Sequence, residues 1–360
     1  MCAPRTPLLG PGRSPELTCK HWMVSGRITY IDVARGLAVV AIVLGHVIGV
    51  AYVPYADDPA AGSWVTLAEV MTPLRLPTLF VVSGLLASMR VREGFTTRTR
   101  SRIRATMHLY VTWYFIYVLL RTVGVDTWVP PLNEPSRVVR DFFLPHSVLW
   151  FLFALLFWTT AVTASHRLPA WALLTFSAAL TPLVWYLPGS LATDQYLHTL
   201  GYGLCFVVGV YARPAILRIL GYRPVALLLV AGMLCAGLVA IVRTFDVRAL
   251  KAALDAPLML TGAAAVLSFS ALISRGGRIT RVLSWLGRNA LPLYVMHLPL
   301  VVSATMLPLW AEFVRIGGPL TPAILTATTI AICLSTHALL VRGPGRYLFQ
   351  PLPRLRFRPA

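Results

Sequence analysis

Arg35, His46, Arg75 and His297 all fall within apolar stretches long enough to lie in hydrocarbon, and their types could do chemistry. An ionisable side chain there costs roughly 2.5–3.5 kcal/mol on insertion scales, so each is a functional candidate by default. A histidine titrates near neutrality and can take the proton of a hydroxyl, while a guanidinium or a phenol can donate to an oxyanion. In the segment ITYIDVARGLAVVAIVLGHV, Asp32 and Arg35 stand at one mouth of a helix and His46 follows eleven residues beyond Arg35. Eleven helical steps leave the last two ~20° apart in direction and ~16 Å apart along the axis, which predicts that both face one groove. In MTPLRLPTLFVVSGLLAS, Arg75 precedes Met89 by fourteen residues. That separation, roughly 21 Å, matches the depth of His46 if the two helices are antiparallel neighbours. In LGRNALPLYVMHLPL, Tyr294 and His297 share a helix face at i, i+3.

Each residue also has an ordinary structural role. Arg35 suits a snorkelling anchor, His46 a packing hydrogen bond, and Arg75 an interfacial cation reaching away from the core. Gly45 and Gly49, at small-xxx-small spacing, would let a second helix approach closely. Pro77 would kink its helix around Arg75. A serine such as Ser83 commonly bonds its own helix backbone. His146 and Trp150, in LPHSVLWFLFALLF, fit a membrane–water interface, where tryptophan is enriched. The arginines from Arg90 to Arg104 read as charge retained beside the membrane, or as contacts to the phosphates of a ligand. Two histidines without a carboxylate or cysteine in a span make no metal site, so no metal is assigned.

The elements that position these residues follow from composition. The 360 residues are 57% hydrophobic and 12% charged, with mean hydropathy +0.71, against roughly 25% charged in soluble domains. Apolar runs predict about ten transmembrane helices, near 33–53, 67–89, 106–120, 148–164, 168–187, 197–211, 224–242, 256–273, 290–310 and 320–341. The fold class expected is therefore an all-α polytopic membrane bundle. A net charge of +19 in a soluble protein would suggest nucleic acid, yet no compact basic domain exists to bind it. Instead the basic residues alternate between loops: 23 of 32 lie on one side, which fixes both termini as cytoplasmic. Residues 1–27 read as a disordered basic tail whose true start is open to Met23, residues 28–341 as one transmembrane domain, and 342–360 as a basic cytoplasmic tail. Five cysteines show no metal or redox spacing, and Cys205, Cys235 and Cys333 read as inert packing residues.

Taken in order, four motifs resemble the integral-membrane acyltransferase 3 family, bacterial enzymes that O-acylate cell-envelope sugars and lipids. They are Asp32-x-x-Arg35-Gly36 with its Arg-x10-His spacing to His46; Pro77-x-x-Phe80-x-x-Ser83-Gly84; Leu149-Trp150-Phe151-Leu152; and Leu286-Gly287 leading to Tyr294-x-x-His297. The resemblance spans Ile28 to Val341. It implies a multi-pass protein of the bacterial plasma membrane that moves an acyl group, usually acetyl from cytoplasmic acetyl-CoA, to a hydroxyl of an envelope glycan or glycolipid at the outer face. No permanently bound cofactor is implied, since acyl-CoA is a substrate. His46 matches the family's catalytic histidine and Arg35 its companion arginine. Asp32 and Arg75 then support the donor or the chemistry, and Tyr294, His297, Ser83 and Trp150 are contacts to the oxyanion or acceptor. Arg75 stands where many members carry histidine, and the arginines after the second span alternate rather than following Arg-x-x-Arg.

A transporter or lipid flippase is the rival reading, since buried Arg and His would also suit a substrate pathway. The predicted sidedness is testable: reporter fusions after Gly94 and Arg358 should score cytoplasmic, and fusions near Asp57 and Glu312 external. An external C-terminus would break the even helix count.

Overall fold

The computed structural model describes residues 23–24, 27–186 and 197–351. The expected N-terminal tail up to residue 22 and the C-terminal tail beyond residue 351 lie outside them. Of the described residues 82% are helical, with only a two-residue antiparallel pairing of Met23–Val24 and Arg27–Ile28 beside the helices. In chain order the helices are α1 (Thr29–His46), α2 (Ala60–Val70), α3 (Thr72–Val91), α4 (Thr97–Thr122), α5 (Pro135–Phe143), α6 (Trp150–Ala164), α7 (Ala170–Tyr186) and α8 (His198–Gly201). There follow α9 (Gly203–Tyr211), α10 (Arg213–Tyr222), α11 (Pro224–Thr244), α12 (Arg248–Ile273), α13 (Arg278–Arg288), α14 (Ala290–Thr305), α15 (Trp310–Gly317) and α16 (Thr321–Leu340).

Each of the ten expected segments falls on a helix, with altered boundaries. Among the described residues five helical stretches are long and apolar enough to cross a membrane, and six if the bent pair α8–α9 and α10 counts as one. The helices α6, α7 and α14 are apolar but shorter, and α4 is long but begins with Arg98, Arg100, Arg102 and Arg104. Expected span 290–310 ends at Thr305, and Trp310 instead opens the stretch that continues through α16. The second stretch starts earlier than expected, at Ala60. The helix α12 also starts early, at Arg248, and so includes Asp255, which accepts from Trp185 Nε1 at 3.2 Å. On α11 the apolar side chains Leu229, Val230, Met233 and Leu234 are more than half exposed. A helix apolar on its outward face belongs in lipid, and the chain is a multi-pass membrane protein.

At the centre of the bundle lies α1, in contact with α3, α12, α13, α14 and α16. Glycines set how closely these helices approach. A Cβ on Gly36 would collide with the carbonyl of Leu283, and one on Gly287 with the carbonyl of Asp32, so α1 and α13 meet backbone to backbone. The pair Gly84 and Gly209 does the same for α3 and α9. Such contacts explain why Gly36, Gly84 and Gly287 sit beside the polar residues of the motifs. By contrast Gly49 faces open space, so the small-xxx-small reading of Gly45 and Gly49 does not hold. Cys205, Cys235 and Cys333 are buried free thiols.

The close contact predicts that Gly287→Ala, which must push backbone away, lowers stability by about 1–3 kcal/mol. Melting of the detergent-solubilised protein should show this loss, whereas Gly49→Ala should melt as wild type.

Candidate functional site

From Thr29 to His46, α1 is regular, and the next six residues, Val47–Tyr52, continue as π-helix. Such wide turns are uncommon and concentrate at functional sites. His46 is the last residue before the change. Its Nδ1 lies 3.0 Å from the carbonyl oxygen of Ile42 and 3.2 Å from Nε2 of His297. His297, fully buried, places its own Nδ1 3.1 Å from the carbonyl of Leu293. A carbonyl can only accept, so Nδ1 of His297 carries hydrogen and Nε2 of the neutral ring is a lone pair. Nδ1 of His46 therefore faces two acceptors and must be the donor. The proton-accepting nitrogen left to His46 is Nε2, which makes no hydrogen bond to a described residue.

His46 lines a cavity of about 310 Å³ together with Arg75, Trp128, His146, Trp150, His198 and Tyr202, here called the histidine chamber. That volume is at the lower end of the range of small-molecule sites, about 300–1,000 Å³. The depth match between His46 and Arg75 holds, and its cause is specific. The Arg75 guanidinium rests on Gly45, where a Cβ would overlap Nη1, so α1 offers a bare step beside His46 for the cation. Arg75 Nη2 also lies 3.4 Å from the hydroxyl of Thr72. Arg75 thus turns inward and is not an interfacial cation reaching away. Pro77 sits inside an α3 that runs unbroken from Thr72 to Val91.

Arg35 lines a second, smaller cavity, of about 70 Å³, with Ser83, Arg90, Thr99 and Arg102. The expected single groove is therefore two chambers on one side of α1. The ring of Tyr294 borders both, and its hydroxyl donates to the carbonyl oxygen of Val148 just before α6. Arg35 lies 3.9 Å from Asp32, too long for a strong hydrogen-bonded pair. With Arg90 and Arg102 it makes a three-guanidinium wall whose only nearby acid among the described residues is Asp32. Such a wall matches phosphate. Ser83 belongs to this arginine chamber, away from His46, and makes no hydrogen bond to a described residue, so the backbone-bonded reading fails.

Trp150 is not at an interface. It is 5% exposed and packs on Phe80 at 6.0 Å and Tyr202 at 5.6 Å between ring centroids. His297 stands behind His46 rather than in the chamber, with rings 4.9 Å apart, and so holds the catalytic candidate's tautomer. Sequence reasoning missed Trp128, His198 and Tyr202, which reach the chamber from elements whose packing no local pattern announces. It left Arg102, with its neighbours, open between flanking charge and a phosphate contact, and the position of Arg102 on the helix that follows the turn at Gly94 brings it back towards Arg35.

The model of an acyltransferase domain matches residues 28–338, which is most of the chain and contains every residue that lines the two chambers. The chain belongs to the acyltransferase 3 family. No curated protein and no solved structure matches it. As a membrane acyltransferase it has a base with one available lone pair, a cation seated beside that base, and a basic chamber next door. Gly45→Ala tests the seat. The group displaced is the end of a flexible side chain, so stability should stay near wild type while acyl transfer falls by about tenfold or more, towards the loss for one oxyanion donor. Full activity in this variant would show that Arg75 need not rest on Gly45.

Proposed function

We propose that the protein is an O-acyltransferase of the bacterial plasma membrane, with ten spans and both termini cytoplasmic. It moves an acetyl group from cytoplasmic acetyl-CoA to a hydroxyl of an envelope glycan or glycolipid at the outer face. The observation that carries this reading is the pair of chambers that meet at Tyr294, one basic and one holding His46. In the proposed orientation the arginine chamber opens to the cytoplasm, and Arg35, Arg90 and Arg102 hold the donor's phosphates while its thioester extends towards Tyr294.

The hydroxyl enters the histidine chamber and gives its proton to His46 Nε2 as its oxygen attacks the thioester carbonyl. Arg75 donates to the oxyanion that forms. Collapse breaks the C–S bond, and the proton on His46 passes to the departing sulfur, so the products are the ester and the free thiol. His297 keeps Nδ1 of His46 occupied, which directs Nε2 into the chamber throughout. For the thioester to reach His46, Tyr294 must leave the carbonyl of Val148.

Two substitutions in one assay test this. His46→Ala should lower acetyl transfer by about 10² to 10⁴ with normal membrane expression. Arg35→Lys should raise the KM for acetyl-CoA by the equivalent of about 1.5–3 kcal/mol and leave the acceptor's KM unchanged, because an ammonium cannot reproduce two parallel bonds to phosphate. Wild-type activity in the first variant would sink the role of His46. A rise confined to the acceptor's KM in the second would invert the assignment of the chambers.

A further inference from the structure

The histidine chamber shares two walls, Trp128 and His146, with a third cavity of about 370 Å³ lined by the segment that joins α4 to α6. This cleft is a built feature. Thr127 is buried and bonds the carbonyl of Tyr117 at 2.8 Å. The next residue, Trp128, takes a left-handed backbone with φ 60°, its N–H held by Asp126 Oδ1 at 3.2 Å. A non-glycine residue in that region costs about 1 kcal/mol or more and persists only where its surroundings enforce it. The result is an indole 40% exposed whose ring centroid lies 5.9 Å from that of His46.

On the other wall, Asp141 is 3% exposed and binds His146 twice, through Nδ1 at 2.8 Å and the backbone N–H at 3.1 Å. Its second oxygen, Oδ2, is buried without a hydrogen bond. Burial raises the Asp141 pKa above the usual carboxylate range, against the pull of His146. A buried carboxylate devoted to one histidine fixes the direction of that ring. Around these walls stand Arg121 paired with Asp126 at 3.2 Å, Arg137 paired with Glu134, and Arg140.

We propose that this cleft is the acceptor subsite and takes an uncharged sugar ring, with the C–H face against Trp128 and His146 positioning the hydroxyl that reacts at His46. The proposal rests on the acyl-transfer reading above. Its chemistry follows from the lining: guanidinium donors and carboxylate acceptors alternate beside one flat apolar ring. A polyol with hydroxyls on its rim and C–H bonds on its face satisfies both. A hydrocarbon chain would strip water from paired charges and return nothing.

The test uses the full chain in lipid nanodiscs and follows thiol release from acetyl-CoA. The probes are phenyl β-glucoside, phenyl β-galactoside and phenyl α-mannoside, against 2-phenylethanol, which has a hydroxyl and no sugar ring. At least one glycoside should accelerate thiol release where phenylethanol does not. Trp128→Ala and His146→Ala should each raise its half-saturating concentration about three- to tenfold, with the KM for acetyl-CoA unchanged. Trp128→Phe and His146→Gln should recover most of the loss, which separates contact from misfolding. Equal acceleration by phenylethanol, an unmoved half-saturation in the alanine variants, or thiol release indifferent to all three glycosides would overturn the subsite. Absence of thiol release under every condition would remove the acyl-transfer reading and the subsite with it.

Discussion

The backbone contact between Gly36 and Gly287 is the constraint on which the site depends. It draws α13 onto α1 at the level of Arg35 and thereby fixes where α14 begins, with the single residue Asn289 between the two helices. From that start, Tyr294 and His297 are one and two turns further along, at the height where they meet Val148 and His46. A methyl group at either glycine would move α13, and the displacement would pass along a nearly continuous helical path to His297. Packed interiors transmit such shifts because they hold few voids to absorb them.

The candidate site is built on a helix packed against α3, α12, α13, α14 and α16, and the chain supplies polar partners to the histidines and the arginine it places there. His46 and His297 satisfy each other and two carbonyls, while Arg75 lies over a glycine and close to Thr72. The reacting atoms are therefore positioned by rigid helices. Only the wall formed by the segment between α4 and α6 depends on irregular backbone, anchored through Thr127 and through the hydroxyls of Tyr110 and Tyr114, which bond the carbonyls of Phe142 and Val138.

Helical periodicity made much of this legible in the sequence. The eleven-residue spacing put Arg35 and His46 on one side of α1, and counting from the helix ends brought Arg75 to the depth of His46. Periodicity could not show that Tyr294 splits the groove, because that depends on a carbonyl 146 residues away. Nor could it tell Gly45, a seat for a guanidinium, from Gly49, which touches nothing, since identical residues one turn apart differ only in what the neighbouring helix presents. Trp128 and Asp141 lay in a connection whose conformation has no period at all. For the arginines from Arg90 to Arg104 the sequence left flanking charge and phosphate contact open, because the return of α4 towards Arg35 is a tertiary fact.

Tyr294 has an electrical consequence. Cavities that open towards opposite faces of a bilayer and approach each other at one ring would, if joined by water, form a conductive path, and a cell's membrane potential acts on every charge that could enter it. The bond from Tyr294 to Val148 and the packing of Phe151, 5.0 Å away between ring centroids, place an aromatic plug at that point. In the proposed reaction a thioester arm passing the plug would fill the space it vacates. Insulation and acyl transfer would then be compatible, because the passage would hold the donor rather than water.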